Sequence, residues 1–106
     1  MAYCRQYEKG SGAISVTLDP GRAFQLEELR FHYSAAAANE SFTVTLDSGE
    51  GSEWDVVVVS QSVNGLTDYV KEFTRPRPFA NGDKLKIAQA NANLVVWGLE
   101  IIWQPL

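Results

Sequence analysis

Apolar and polar residues alternate with a period of two along most of the chain, and no segment shows a 3.6-residue period, so the elements read as strands. Ile14, Val16 and Leu18 alternate with Ser15 and Thr17, and Asp19-Pro20-Gly21 then supplies turn chemistry. From Phe24 to Tyr33 the apolar positions are Phe24 and Leu26, then Leu29, Phe31 and Tyr33, so the parity flips between Glu27 and Glu28. A flip of this kind predicts a β-bulge, or a bend where a strand passes between sheets. The alanine run Ala35–Ala38 is too short and uncapped to hold a helix and reads as a loop ending at Asn39. Phe42, Val44 and Leu46 alternate with Thr43, Thr45 and Asp47, and residues 47–52 form the turn that follows.

Trp54 to Val59 is apolar on both faces apart from Asp55, which predicts a strand covered on both sides or lying at an interface. Asn64-Gly65 marks a turn. Tyr69 to Thr74 reads as a strand ended by Arg75-Pro76-Arg77-Pro78, because proline contributes no ladder donor. Asn81-Gly82-Asp83 turns the chain into Lys84–Ala88, with Leu85 and Ile87 facing inward. Leu94 to Trp103, apolar on both faces, is predicted as a long central strand. Tyr3 to Glu8 is an eighth candidate strand. The expectation is an all-β fold, an antiparallel jelly-roll-like β-sandwich of about 7–8 strands. An N-terminal arm, residues 1–12, precedes a single sandwich domain, residues 13–106.

Composition narrows the function. A length of 106 residues fits one domain, and 45% hydrophobic with 21% charged residues is ordinary for a packed globular core. No apolar run approaches the roughly 20 residues of a membrane-spanning helix, and the N-terminal residues lack the apolar centre of a signal peptide. The expectation is therefore a protein assembled in the cytoplasm, without membrane contact. Cys4, the single cysteine, has no partner for an internal disulfide. A net charge of −4, with scattered basic residues, argues against nucleic acid as a partner.

Catalytic chemistry is poorly represented. His32 is the only histidine, and by alternation it shares an outward face with Glu28 and Arg30, the pattern of a solvated, ion-paired surface. One histidine and one cysteine do not make a zinc site, and Asp47, Glu50, Glu53 and Asp55 do not follow calcium-loop spacing, so no metal and no cofactor are expected. No nucleophile elbow or phosphate loop is present, and the protein is expected not to be an enzyme. Asn39-Glu40-Ser41 matches a glycosylation sequon that has no consequence without secretion. Among the aromatics, Trp97 sits in the most hydrophobic strand and reads as core. Trp54 and Trp103 lie near strand ends and read as exposed, where rings can stack on sugars.

The succession of Leu26–Ser34, Phe42–Gly49, Glu53–Val59, Gly82–Ile87 and Val95–Ile101 resembles the small jelly-roll virion proteins of tailed bacteriophages over nearly the full length. The resemblance implies a non-enzymatic structural protein of the virion that decorates or cements the capsid lattice. Its implied partners are the major capsid protein, other virion proteins and further copies of itself in a homo-oligomer. The residues assigned to lattice or subunit contact are Tyr3, Arg5 and Tyr7 in the arm, Trp54, Arg75, Arg77 and Trp103. The alternative is a carbohydrate- or receptor-binding sandwich, such as an adhesion module.

Overall fold

The computed structural model describes residues 2–106 and contains eight strands. They are β1 (Cys4–Gly10), β2 (Ile14–Leu18), β3 (Phe24–Tyr33), β4 (Ser41–Asp47), β5 (Val56–Ser62), β6 (Asp68–Phe79), β7 (Lys84–Gln89) and β8 (Trp97–Pro105), with a single 3₁₀ turn at Ser52–Trp54. Two antiparallel four-stranded sheets pack face to face, in the orders β1-β8-β3-β6 and β2-β7-β4-β5. Every connection except β4 to β5 crosses from one sheet to the other, which is the nested antiparallel arrangement of a jelly roll.

The alternation read from the sequence decides which side chains meet between the sheets. Ile14, Val16 and Leu18 of β2, Phe42 and Val44 of β4, and Leu85 and Ile87 of β7 face Leu26, Leu29 and Phe31 of β3 and Leu99 and Ile101 of β8, all buried. Aromatic rings link the layers. Phe31 of the first sheet stands 4.4 Å from Phe42 of the second, and Phe42 continues to Tyr69 at 5.6 Å.

The predicted parity flip is a bulge. Both ladders of β3, to β6 and to β8, shift register between Leu26 and Glu28, so Glu27 and Glu28 both escape the core while Phe24, Leu26, Leu29, Phe31 and Tyr33 all enter it.

Residues 4–10, placed in the arm and also read as an eighth candidate strand, form β1, paired with β8 from Cys4↔Trp103 to Gly10↔Trp97. Three expectations are corrected. The prolines do not end the sixth strand, which continues to Phe79. It is an edge strand, so a missing N–H on its outer side breaks no ladder, and residues 73–76 bulge opposite Glu27. Trp54 belongs to the 3₁₀ turn rather than to the strand, and the strand after it, β5, is an edge with Val56 and Val57 about half exposed, so within the chain it is not covered on both sides, while the interface reading is untouched by this. The last strand starts at Trp97, not Leu94. Asn91 and Leu94 adopt left-handed backbone, at φ 54° and 51°. The buried Asn91 side chain donates to the Gly12 and Val95 carbonyls at 2.9 and 3.0 Å, and the Glu40 carboxylate accepts from the Asn91 and Ala92 amides at 2.8 and 2.9 Å. This network fixes an irregular loop where hydrophobicity alone reads as strand.

One buried polar pair lies between the sheets. The Tyr33 hydroxyl donates to Gln89 Oε1 at 2.6 Å, and the Gln89 amide nitrogen has no partner among the described residues. Burial pushes the Tyr33 phenol up to about 12, with the bond to Gln89 opposing and Glu40 adding to the shift. Because the fold selects the neutral phenol, its contribution to stability is complete below the ordinary value of 10.0 and is lost as pH rises towards about 12. In a spectrophotometric titration Tyr33 is expected to ionise only as pH rises towards about 12, together with alkaline unfolding. Tyr33→Phe is expected to lower stability by about 1–3 kcal/mol in urea denaturation, since the buried Gln89 then loses its remaining hydrogen bond. An unchanged midpoint would refute the role given to this pair.

Candidate functional site

The outer face of the β1-β8-β3-β6 sheet collects the polar and aromatic side chains that the core excludes. Register arranges them in transverse rows. Lys9, Gly98, His32 and Asp68 form one row, Tyr7, Glu100, Arg30 and Val70 the next, and Arg5, Ile102, Glu28 and Glu72 the third. Directly opposed side chains in such rows lie close enough to interact.

Gly98 shapes the centre of this face. A Cβ built there would come within 2.9 Å of the Tyr7 hydroxyl and 3.4 Å of its ring, so the absence of a side chain lets Tyr7 reach diagonally across β8. The Arg5 guanidinium lies over the Tyr7 ring, 5.2 Å from its centroid, and pairs with Glu100, while half of the tyrosine stays exposed. His32 Nδ1 lies 2.8 Å from an Asp68 oxygen, and this hydrogen bond holds the Asp68 carboxyl below the ordinary carboxylate range. Arg30 donates to Glu28 at 2.9 Å, a bond that with the charge of Glu28 holds the guanidinium above its ordinary value.

Between Tyr7, the His32–Asp68 pair and the exposed Val70 and Val96 lies a concavity of about 470 Å³. That size falls within the roughly 300–1,000 Å³ of small-ligand sites. The side chains offer donors, acceptors and apolar surface. Among the described residues no group of three or more His, Cys, Asp or Glu is placed to hold a metal ion.

The residues singled out in the sequence do not form one patch. Arg5 and Tyr7 lie on this face, and Tyr3 lines a neighbouring hollow with Glu27, Glu28 and Glu72. Arg75 and Arg77 line a groove between β5 and β6, at the open side of the sandwich. Trp54 is exposed on its turn. Trp103, expected to be exposed, is half-buried and packs edge-on against Phe24 at 6.1 Å. Trp97 is buried as expected, with its indole N–H donating to the Gly12 carbonyl at 3.0 Å. Gly98, Glu100, Asp68 and Val70 escaped the sequence reading, because only the pairing of β8 and β6 with β3 brings them beside Arg30 and His32.

No family model and no curated protein sequence matches the chain. Solved structures resemble it in fold. Chitosan-binding module 1 of a chitosanase/glucanase from Paenibacillus sp. IK-5 superposes with a TM-score of 0.58 at 12% identity, covering 92% of this chain and 74% of that one. The Drosophila NLP core, described for pentamer formation and histone binding, gives 0.47 at 9% identity, covering 95% and 96%. Infectious bursal disease virus Gx strain gives 0.35 at 15% identity, and this chain spans only 29% of that one.

Two close approaches by glycine separate this face from the core. Gly98→Ala pushes on the free end of a half-exposed tyrosine, so a stability change below about 1 kcal/mol is expected. Gly10→Ala puts a methyl 3.0 Å from the buried Trp97 ring, where overpacking costs about 1–3 kcal/mol. Thermal denaturation of both variants checks this ranking, and equal effects would contradict it.

Proposed function

We propose that this chain is a non-catalytic binding domain that takes a saccharide on the outer face of the β1-β8-β3-β6 sheet. The observation that carries the reading is the Tyr7 ring laid across Gly98 beside the His32–Asp68 pair. A pyranose has an apolar C–H face and a rim of hydroxyl groups that both donate and accept. An aromatic ring beside Val70 matches the first, and Arg30, His32, Asp68 and Glu100 match the second. The chitosan-binding module of similar fold makes glucosamine-containing oligosaccharides a natural first ligand to try.

Glycan-array screening followed by calorimetry is the test. Wild-type protein is expected to bind, and Tyr7→Ala and His32→Ala are expected to weaken binding by about tenfold or more at unchanged thermal midpoints. A blank array, or binding untouched by both substitutions, would remove the reading.

A second reading is the virion one, in which the domain decorates or cements a capsid. It is favoured by the run of exposed apolar side chains Trp54, Val56 and Val57, which a lattice contact would cover. Cosedimentation with capsids assembled without the protein is expected to bring it into the pellet. Protein left in the supernatant would end this reading.

A further inference from the structure

A four-plus-four-stranded sandwich has four free edges, and this one treats them unequally. β1 carries Arg5, Glu8 and Lys9 along its length. β2 is only five residues long, and the Gln6 side chain of β1 donates to its Thr17 carbonyl at 3.2 Å. β6 is interrupted by its bulge and carries Lys71, Arg75, Arg77 and two prolines. These are the devices that keep sheet edges from pairing with other chains.

β5 has none of those charges or prolines. Its sequence is Val56-Val-Val-Val-Ser-Gln-Ser62, with Val56 49% and Val57 57% exposed and Trp54 standing beside them at 63%. A single bulge at Val58 interrupts its pairing with β4, since Val44 opposes Val59 and Thr45 opposes Val57, and the stretch from Val59 to Ser62 beyond it is regular. An uncharged, valine-rich edge left open on a domain whose other edges are guarded is a surface for strand addition.

We infer that the β5 edge pairs antiparallel with the β5 edge of a second copy of this chain, continuing the β2-β7-β4-β5 sheet across a two-fold axis. Charge selects this occupant. Glu50, Glu53 and Asp55 lie at the start of β5, whereas Lys71, Arg75 and Arg77 line the groove beside its later residues, Val58 to Gln61. None of the three cations is in an ion pair among the described residues. Antiparallel pairing carries the start of one β5 past the end of the other, so each acidic turn arrives beside its partner's basic groove. A two-fold contact makes this match twice. The inference is independent of the saccharide reading, because it uses neither the same sheet face nor the same residues.

Sedimentation velocity of the full chain across a concentration series is the test, with tryptophan fluorescence compared between wild type and Trp54→Phe as a local readout. Wild type is expected to dimerise, with Trp54 emission shifting to shorter wavelength as the dimer forms. Val57→Lys, at an exposed position, is expected to weaken association by about tenfold or more while far-ultraviolet circular dichroism and the thermal midpoint stay unchanged. Glu53→Lys and Lys71→Glu are each expected to weaken it, and the double variant to recover part of the loss. Wild type that stays monomeric at all concentrations, or a dimer indifferent to Val57→Lys, would overturn the proposal. Oligosaccharide binding measured on the Val57→Lys variant keeps the two readings apart, since it is expected to persist whether or not the dimer exists.

Discussion

Glu27 is the residue at which both ladders of β3 shift, one residue in excess of β8 and opposite residues 73–76 of β6, and the facing of the first sheet depends on it. In a strand of strict period two, a set of inward residues beginning at Phe24 and Leu26 would continue at Glu28, Arg30 and His32, placing two acids or bases and a histidine in the core. Burying those groups without partners would cost far more than the fold can supply. The bulge reverses the parity instead. Leu29, Phe31 and Tyr33 go in, and Glu28, Arg30 and His32 go out to meet β8 and β6. The ring contacts that join the sheets and the polar rows of the outer face are thus two sides of one register shift.

The same economy of position recurs at the glycines. Gly10 faces inward and makes room for Trp97, while Gly98 faces outward and makes room for Tyr7. β1 and β8 exchange aromatic side chains over each other's glycines, one ring sealing the core and the other shaping the surface. The seal is reinforced at one end by the Trp97 bond to the Gly12 carbonyl and by Asn91, which ties the loop before β8 to the turn after β1. β1 is therefore part of the wall that closes the core on one side and shapes the face beside Tyr7 on the other.

Much of the architecture was legible in the alternation. The strands around Ile14–Leu18, Phe42–Leu46 and Lys84–Ala88 follow it closely, the bulge follows from the parity change, and the alanine run is a loop. Where prediction and structure part, a non-local force outweighs the local pattern. Leu94 and Val96 look like strand, yet Glu40, far away in sequence, holds the backbone of Asn91 and Ala92 in a turn. The prolines of β6 look like a stop, yet an edge tolerates them. The valines of β5 look like a strand covered on both sides or lying at an interface, and within the single chain they form an exposed edge, because which strand ends a sheet is fixed by pairing order and not by alternation. The candidate site was legible only in half: Tyr7, Arg30 and His32 are conspicuous residue types, but Gly98, Glu100 and Asp68 acquire meaning only through cross-strand register, which alternation does not encode.

The placement of the two proposed surfaces has a mechanical consequence. The concavity beside Tyr7 opens on the outside of the β1-β8-β3-β6 sheet, whereas β5 is the edge of the opposite sheet. Extending the second sheet by strand addition adds nothing to the outer face of the first, so pairing leaves Tyr7, His32 and Asp68 as open as they are in the monomer. Two copies joined along β5 then display two equivalent faces at a spacing fixed by a continuous sheet rather than by a flexible linker. On a polymeric ligand, or on a lattice that repeats the same epitope, the second contact becomes intramolecular and its strength depends on whether that fixed spacing matches the repeat. A shallow site on a small domain would gain most from such an arrangement, and an edge strand without charged residues is what would make it available.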